Sequence, residues 1–199
     1  MRFKILTATF LLVLALSSVS FANAVLFEDR FENLDPEVWI FAEQFWTLED
    51  GWLTHTTTSE ENMAWAGDRD WTDYDLTLRL RMDEYGVEGW SGARVVVRFT
   101  EYDNFVVVLM DREGGVSLHW RNPQTGWDQI AGGGSWHFFE GEEYEVLVSV
   151  RGNEYEVYIN DEYVIGATDT QNRAPKGAIG IYAARAKLGV TDVVVTSVE

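Results

Sequence analysis

The chain has 199 residues, with 15 lysines and arginines against 33 aspartates and glutamates, and no cysteine. A formal net charge of −18 repels phosphate backbones and anionic lipids, which argues against binding to nucleic acid or to membrane surfaces through charge. The lack of cysteine excludes disulfide scaffolds and thiolate sites, while 46% hydrophobic residues, including nine tryptophans, supply enough apolar surface for a folded core.

The N-terminus has the pattern of a secretory signal peptide over residues 1–24. Arg2 and Lys4 give a positive start, an apolar run covers 5–16, and Ala22-Asn23-Ala24 is a small-residue cleavage site. The alternative, a membrane anchor, needs about 20 apolar residues, more than this run offers. We therefore expect a secreted or periplasmic protein that is not inserted in the membrane after cleavage. No Asn-x-Ser/Thr acceptor occurs, which fits a bacterial origin.

The remaining residues, 25–199, are expected to form a single domain built from strands. Apolar and polar residues alternate over Tyr74–Met82, as in a strand that covers a core with one face. The run Phe105–Met110 is apolar on both faces, which predicts a central strand or one whose outer face is covered. Further strands are predicted at 26–31, 39–44, 46–49, 52–57, 93–99, 116–121, 127–131, 144–151, 155–159, 163–167, 179–184 and 188–198.

About a dozen antiparallel strands without a long amphipathic helix predict an all-β fold, and we favour a two-sheet jelly-roll β-sandwich. In this arrangement the N-terminal and C-terminal strands would pair and close an edge. A lipocalin-like barrel is the alternative, although it needs fewer and longer strands. The stretch Gly132-Gly133-Gly134-Ser135 is interpreted as a flexible loop within the domain.

Several motifs, taken in order, resemble the concanavalin A-like lectin/glucanase superfamily. Within it they are similar to the bacterial laminin-G-like domains that include the 3-keto-disaccharide hydrolase, or family 16 glycoside hydrolase-like, group. The matching segments are Leu26-Phe-Glu-Asp-Arg-Phe31, Leu34-Asp-Pro36 with Trp39, Trp46-Thr-Leu-Glu-Asp-Gly-Trp-Leu-Thr54, Tyr74-Asp-Leu76, Val97-Arg-Phe99, Tyr102-Asp-Asn-Phe105, Leu109-Met-Asp111, Gly177-Ala-Ile-Gly-Ile181 and Asp192-Val-Val-Val195.

This resemblance implies a carbohydrate ligand and, as in related sandwiches, one structural calcium ion. The acids near the paired terminal strands would hold the metal, and Asp29 and Asp192 match those positions. The family pattern commonly has a second acid or amide before the valine, where this chain has Thr191. Two ordinary acids on edge strands are therefore the alternative.

The sequence offers no catalytic constellation. Family 16 enzymes carry Glu-x-Asp-x-Glu on one strand face, and here acids two residues apart occur only as pairs, such as Glu143 and Glu145. A catalytic pair on two different strands stays open. The three histidines, His55, His119 and His137, have no metal-binding spacing.

Arginines are concentrated on the polar phase of three predicted strands, and His119 shares that phase. If those strands are neighbours, an acidic protein carries a cationic cluster on one open sheet face, suited to pairing with hydroxyls or carboxylates. A cross-strand ladder with nearby acids is the alternative. Arg98 is the leading candidate, within a predicted ligand-binding set of Arg79, Arg81, Arg94, Arg98, His119 and Arg121.

Sugar recognition also uses flat aromatic faces that stack on C–H surfaces. Trp39, Trp46, Trp52 and Trp120 are assigned to the interior from their strand phase and from the family match. Trp90 and Trp136 lie in Gly/Ser-rich segments and are the candidate platforms, although they could instead anchor loops to the core.

The sequence therefore predicts a secreted, non-catalytic, lectin-like domain that recognises a glycan or polysaccharide on one sheet face. Two alternatives remain at this point. One is a small glycoside hydrolase of the 3-keto-disaccharide hydrolase type, and the other is an extracellular structural or adhesive domain that contacts proteins.

Overall fold

The computed structural model describes residues 23–33, 35, 37–113 and 115–198. The predicted signal peptide up to residue 22, and Leu34 and Pro36 of the family motifs, lie outside the described residues. The described part contains 15 strands and no helix, and hence no helix that could cross a membrane. The strands are β1 (Val25–Asp29), β2 (Trp39–Ile40), β3 (Trp46–Glu49), β4 (Trp52–His55), β5 (Glu61–Ala66), β6 (Tyr74–Tyr85), β7 (Gly92–Glu101), β8 (Asn104–Asp111), β9 (Gly115–Asn122), β10 (Gly126–Gly134), β11 (Glu143–Arg151), β12 (Glu154–Ile159), β13 (Glu162–Thr168), β14 (Ala178–Ala184) and β15 (Ala186–Ser197).

These strands form two antiparallel sheets that pack face to face, so the predicted all-β sandwich is confirmed. The eight-stranded sheet has the order β13-β12-β11-β6-β15-β4-β3, with β1 also paired to β15, and the seven-stranded sheet has the order β10-β9-β8-β7-β14-β5-β2. The predicted pairing of the terminal strands is present, with Asp29 opposite Val193. The fourteen predicted strand segments all have counterparts, and the one additional strand is β5, which was not predicted.

The core lies between the two inner faces and follows the alternation of the sequence. On β6, every second side chain from Tyr74 to Met82 is fully buried, while Arg79 between them is exposed. β8 lies in the interior of the seven-stranded sheet, between β7 and β9, as its two apolar faces predicted. The glycine stretch 132–134 belongs to β10, so the expected flexible loop is corrected: backbone pairing with β9 orders it, and Gly134 lies opposite Val116.

Candidate functional site

The predicted cationic cluster is divided between the two sheets. Arg79 and Arg81 lie on β6, which pairs with β11 and β15 in the eight-stranded sheet. Arg94 lies on β7 and His119 on β9, both in the seven-stranded sheet. The condition that these strands are neighbours is not met, because the alternation of a strand identifies its outer face but not the sheet to which it belongs.

On the outer face of the eight-stranded sheet Arg79 forms the cross-strand ion pairs that were the alternative interpretation, and Arg81 pairs with an acid on its own strand. Arg79 pairs with Glu143 and with Asp192, and Arg81 pairs with Asp83. The guanidinium of Arg81 also lies 4.7 Å from the ring of Trp52. Trp52 is therefore half-buried on this outer face, and not in the interior as predicted.

Arg98, the leading candidate, is a structural residue. Its side chain has no solvent exposure. It lies where the pairing register between β7 and β8 shifts, and its backbone has a φ of 57°. The guanidinium donates to the carbonyls of Pro175 and Gly152 and to the carboxylate of Asp73. Nε of Arg98 has no partner, but the side chain has no accessible surface, so a ligand cannot reach it and the predicted role is corrected.

The two tryptophans predicted to be sugar platforms differ in their burial. Trp136 is partly buried and packs against the main core, so its predicted exposure is corrected in favour of loop anchoring. Trp90 is 40% exposed and lies at the rim of a cavity on the seven-stranded sheet. Trp39 and Trp46 are core residues as predicted, and Trp120 is half-buried against that core.

The outer face of the seven-stranded sheet forms a concave groove. The rings of Trp127 on β10 and Tyr182 on β14 are 6.3 Å apart, although three strands lie between them. In a flat sheet four strand spacings would separate these backbones by about 19 Å. The floor of the groove is a second apolar cluster of Met63, Val96, Phe99, Phe105, Val107, Leu109 and Ala178, which is almost fully buried without facing the other sheet.

A first cavity of about 350 Å³ opens in this groove around Arg94. Arg94 is only 5% exposed, and its guanidinium lies 5.7, 5.3 and 5.2 Å from the rings of Trp90, Trp127 and Tyr182. Three aromatic rings therefore surround one cation. The cavity is lined by Glu61, Trp90, Arg94, Leu109, Asp111, His119 and Trp127.

The charges in the first cavity are close but incompletely paired. Glu61 and Asp111 each have a carboxylate oxygen 3.8 Å from a terminal nitrogen of Arg94, beyond hydrogen-bond length. Buried polar groups are normally hydrogen-bonded. Here Nε of Arg94, Oδ1 of Asp111 and Nδ1 of His119 have no partner within the protein.

The same burial shifts the titration of two of these groups. Desolvation raises the pKa of Asp111 to about 6, against the opposing effect of the Arg94 charge. Desolvation and the charge of Arg94 both lower the pKa of His119. Near neutral pH the cavity thus presents a neutral imidazole, a carboxylate close to its titration point and a guanidinium.

A second cavity of about 300 Å³ adjoins the first, and Glu61 and Trp127 line both. The predicted ligand residue Arg121 lies here, with its guanidinium 4.9 Å from the ring of Trp127 and 3.2 Å from the carboxylate of Asp103. The hydroxyl of Tyr182 donates to Glu61 at the boundary between the cavities. The complete lining is Glu61, Met63, Tyr102, Asp103, Phe105, Arg121, Trp127 and Tyr182.

The structure therefore gathers Arg94, His119, Arg121 and Trp90 in one groove and leaves the other predicted ligand residues outside it. Sequence reasoning did not single out Glu61, Asp111, Trp127 or Tyr182 as site residues. One signal was available, since Trp127 lies directly opposite Arg121 in the β9–β10 hairpin. Glu61 and Tyr182 gave no comparable signal, because the pairing of β5 with β14 is remote in sequence.

The acids predicted to hold calcium do not fit that ion in this arrangement. One carboxylate oxygen of Asp29 accepts from the backbone N–H of Phe31 at 2.7 Å and the other from the indole N–H of Trp39 at 2.9 Å. Asp192 pairs with Arg79. Within the described residues no three acidic or histidine side chains lie close enough to share a metal ion. The two carboxylates therefore have protein partners and do not belong to a cluster of acids of the kind that calcium requires, among the residues that the structure describes.

No family model matches the chain. It is 28% identical over 162 residues to an extracellular exo-α-L-arabinofuranosidase from Streptomyces chartreusis, and the match covers 77% of this chain but only 18% of that relative. Among solved structures, a carbohydrate-binding module, CBM66, from Bacillus subtilis superposes with a TM-score of 0.68 at 14% identity over 80% of this chain and 95% of the module.

A second solved structure, the exoplasmic/lumenal domain of VIP36 in its Ca²⁺/Man-bound form, has a TM-score of 0.63 at 14% identity and covers 81% of this chain and 83% of that domain. Similarity at this level of identity establishes the fold. The chain therefore has the concanavalin A-like β-sandwich fold that its motifs predicted, and it shares this fold with the binding module and the lumenal domain.

Proposed function

We propose that the chain binds a glycan in the first cavity and does not cleave it. The observation that carries this proposal is Arg94, a nearly buried guanidinium held among aromatic rings with both neighbouring carboxylates at 3.8 Å. A sugar hydroxyl is both a donor and an acceptor, so it can accept from Arg94 and donate to Asp111 at the same time.

The aromatic residues at the rim support a sugar over other polar ligands. Trp90 is 40% exposed and Trp127 is 37% exposed, so each offers an open ring on a fixed scaffold. Sugars present flat C–H faces as well as hydroxyls, and a small cavity with aromatic walls and a few polar groups suits this combination. The formal charges of Glu61, Arg94 and Asp111 also leave the cavity without the excess of cations that an anionic glycan would require.

The relatives suggest which sugars to test first, and a secreted role is part of the same proposal. The Streptomyces relative is named as an extracellular arabinofuranosidase, so arabinose-containing polysaccharides come first, and mannosides follow because mannose is named with VIP36. An extracellular or periplasmic location agrees with the predicted signal peptide at residues 1–24. In this proposal calcium has no part in binding, since Asp29 and Asp192 have other partners.

A glycan array with purified protein tests the proposal, and the molecule provides its own control. Arg94→Met and Trp127→Ala should each abolish binding to the selected glycan. The matched variants Arg79→Met and Trp52→Ala remove an equivalent arginine–tryptophan pair from the eight-stranded sheet and should bind like the wild type. Thermal unfolding confirms that each variant is folded. Absence of binding to every sugar, or equal loss in the control variants, would refute the proposal, and a chelator arm tests calcium.

One observation favours hydrolysis as a second candidate function. Glu61 and Asp111 each approach the same guanidinium, which places the two carboxylates within about 10 Å of each other, near the separation used by two-carboxylate glycosidases. Asp111, with its raised pKa of about 6, would be the proton donor. Release of reducing sugar from the bound glycan, lost in both Asp111→Asn and Glu61→Gln, would establish this activity over simple binding.

A further inference from the structure

The groove contains two cavities of similar size that meet at two shared side chains. Their volumes are about 350 and 300 Å³, and Trp127 and Glu61 belong to the lining of both. The groove is therefore divided into two adjoining compartments that share Trp127 and Glu61.

The two cavities also repeat the same chemistry on the two sides of Trp127. The guanidinium of Arg94 lies 5.3 Å from its ring in the first cavity, and that of Arg121 lies 4.9 Å from it in the second. Each arginine has an acid nearby, Asp111 in the first cavity and Asp103 in the second. An exposed ring completes each cavity, Trp90 in the first and Tyr102, 62% exposed, in the second.

Trp127 and Glu61, the two side chains shared by the cavities, are each held in place by a neighbouring aromatic residue. The ring of Trp127 meets Phe105 edge to face at 6.0 Å, and Phe105 is 2% exposed in the floor of the groove. Glu61 is fixed by the hydroxyl of Tyr182, so its carboxylate stays at the boundary. A residue held in this way can contact two consecutive sugars at once.

We propose that the groove is a two-subsite receptor that takes two consecutive residues of an oligosaccharide, with Trp127 and Glu61 contacting both. This inference rests on the proposed function and specifies its ligand class as a chain of at least two sugars. The first cavity supplies the more buried polar groups, so it can bind a single sugar residue by itself. Its affinity for that single residue is weaker than the affinity of the whole groove for two linked residues. The second cavity is more exposed and adds affinity only when a linked residue reaches it.

Isothermal titration with ligands of increasing length tests the inference. The probes are L-arabinose, α-1,5-arabinobiose and α-1,5-arabinotriose, or mannose, mannobiose and mannotriose if the array selects mannosides. We expect the affinity of the wild type to rise at least tenfold from the monosaccharide to the disaccharide. Tyr102→Ala and Asp103→Asn, both confined to the second cavity, should remove this gain and leave the monosaccharide affinity unchanged. Trp127→Ala should weaken both ligands.

The possible outcomes separate this inference from the proposed function. Equal affinity for monosaccharide and disaccharide would overturn the two-subsite arrangement while leaving glycan binding in place. The same conclusion follows if Tyr102→Ala weakens both probes equally. If no sugar binds at any length, the proposed function fails and the inference fails with it. Unfolding curves for Tyr102→Ala should match the wild type, because this side chain is mostly exposed.

Discussion

Replacement of Arg98 by methionine tests the structural role of a charged group inside the sandwich. Methionine keeps the length of the apolar stem but removes the guanidinium. The carbonyls of Pro175 and Gly152 then lose their donor, and the carboxylate of Asp73 loses its cation. The backbone N–H of Arg98, which donates to the Tyr74 hydroxyl at 2.9 Å, is unchanged, so the variant isolates the side chain.

The expected loss of stability is large. The three hydrogen bonds from the guanidinium to Pro175, Gly152 and Asp73 are charge-assisted, and each is worth about 1.5–3 kcal/mol. Pro175 and Gly152 are exposed and the Asp73 side chain is 43% exposed, so water recovers part of this loss in the variant. We therefore expect Arg98→Met to lower the free energy of unfolding by about 3–5 kcal/mol, a substantial part of the roughly 5–15 kcal/mol of a typical domain. For a chain of this size that corresponds to a decrease in Tm of at least about 6 °C.

Urea denaturation of Arg98→Met and Arg79→Met measures this difference directly. Arg79 is exposed and makes surface ion pairs, so its replacement should cost no more than about 1 kcal/mol. The folded fraction of Arg98→Met should bind glycan with wild-type affinity, because the side chain does not reach the groove. A midpoint like that of Arg79→Met, or loss of binding by folded Arg98→Met, would refute this reasoning.

Three further changes have defined outcomes. Gly177→Ala would place a Cβ 2.2 Å from the carbonyl carbon of Arg98 at a φ of 151°, so thermal unfolding should show that the free energy of unfolding falls by at least about 3 kcal/mol. Gly133 has a φ of 94° and open space around it, so Gly133→Ala should lower the free energy of unfolding by only about 1–2 kcal/mol. Equal losses in the two variants would contradict the clash. Burial raises the pKa of Asp111 from 3.8 to about 6, so between these two values the folded state retains a proton that the unfolded chain releases. Wild-type stability should therefore fall as the pH rises from about 4 to about 6. Asp111→Asn should not show this fall and should gain up to about 3 kcal/mol on the wild type across that interval, measured by denaturation at several pH values; parallel pH profiles would argue against it. Asp29→Ala loses two hydrogen bonds and should lower the free energy of unfolding by about 1–3 kcal/mol. Thermal scans should give the same loss with calcium and with chelator. If a chelator destabilises the wild type but not the variant, the calcium hypothesis is supported.

The fold was predictable because period-two alternation is a direct consequence of one-sided burial. β6 illustrates this, with buried residues at every second position from Tyr74 to Met82. β5 escaped prediction because this rule fails there. Its outward residues Met63 and Trp65 are apolar and pack in the floor of the groove, while its inward residues Ala64 and Ala66 are small.

The site was predictable only in part. The alternation along a strand shows which residues point to the outer face, but the long-range pairing of strands decides which of those residues lie next to each other. Arg94 and His119 were found from their phase, and the structure places both in the first cavity. The same phase on β6 selected Arg79, which lies on the other sheet and pairs with acids. Arg98 misled because an irregularity in β7 interrupts the alternation and turns its side chain into the protein.

The aromatic enclosure of Arg94 has a consequence for the thermodynamics of recognition. A free arginine side chain carries about 2 kcal/mol of rotamer entropy, which a flexible binding residue surrenders when its ligand arrives. In this molecule the rings of Trp90, Trp127 and Tyr182 restrict the guanidinium as soon as the chain folds. Association then requires little further ordering of this group, so calorimetry should find that its contribution to affinity is mainly enthalpic.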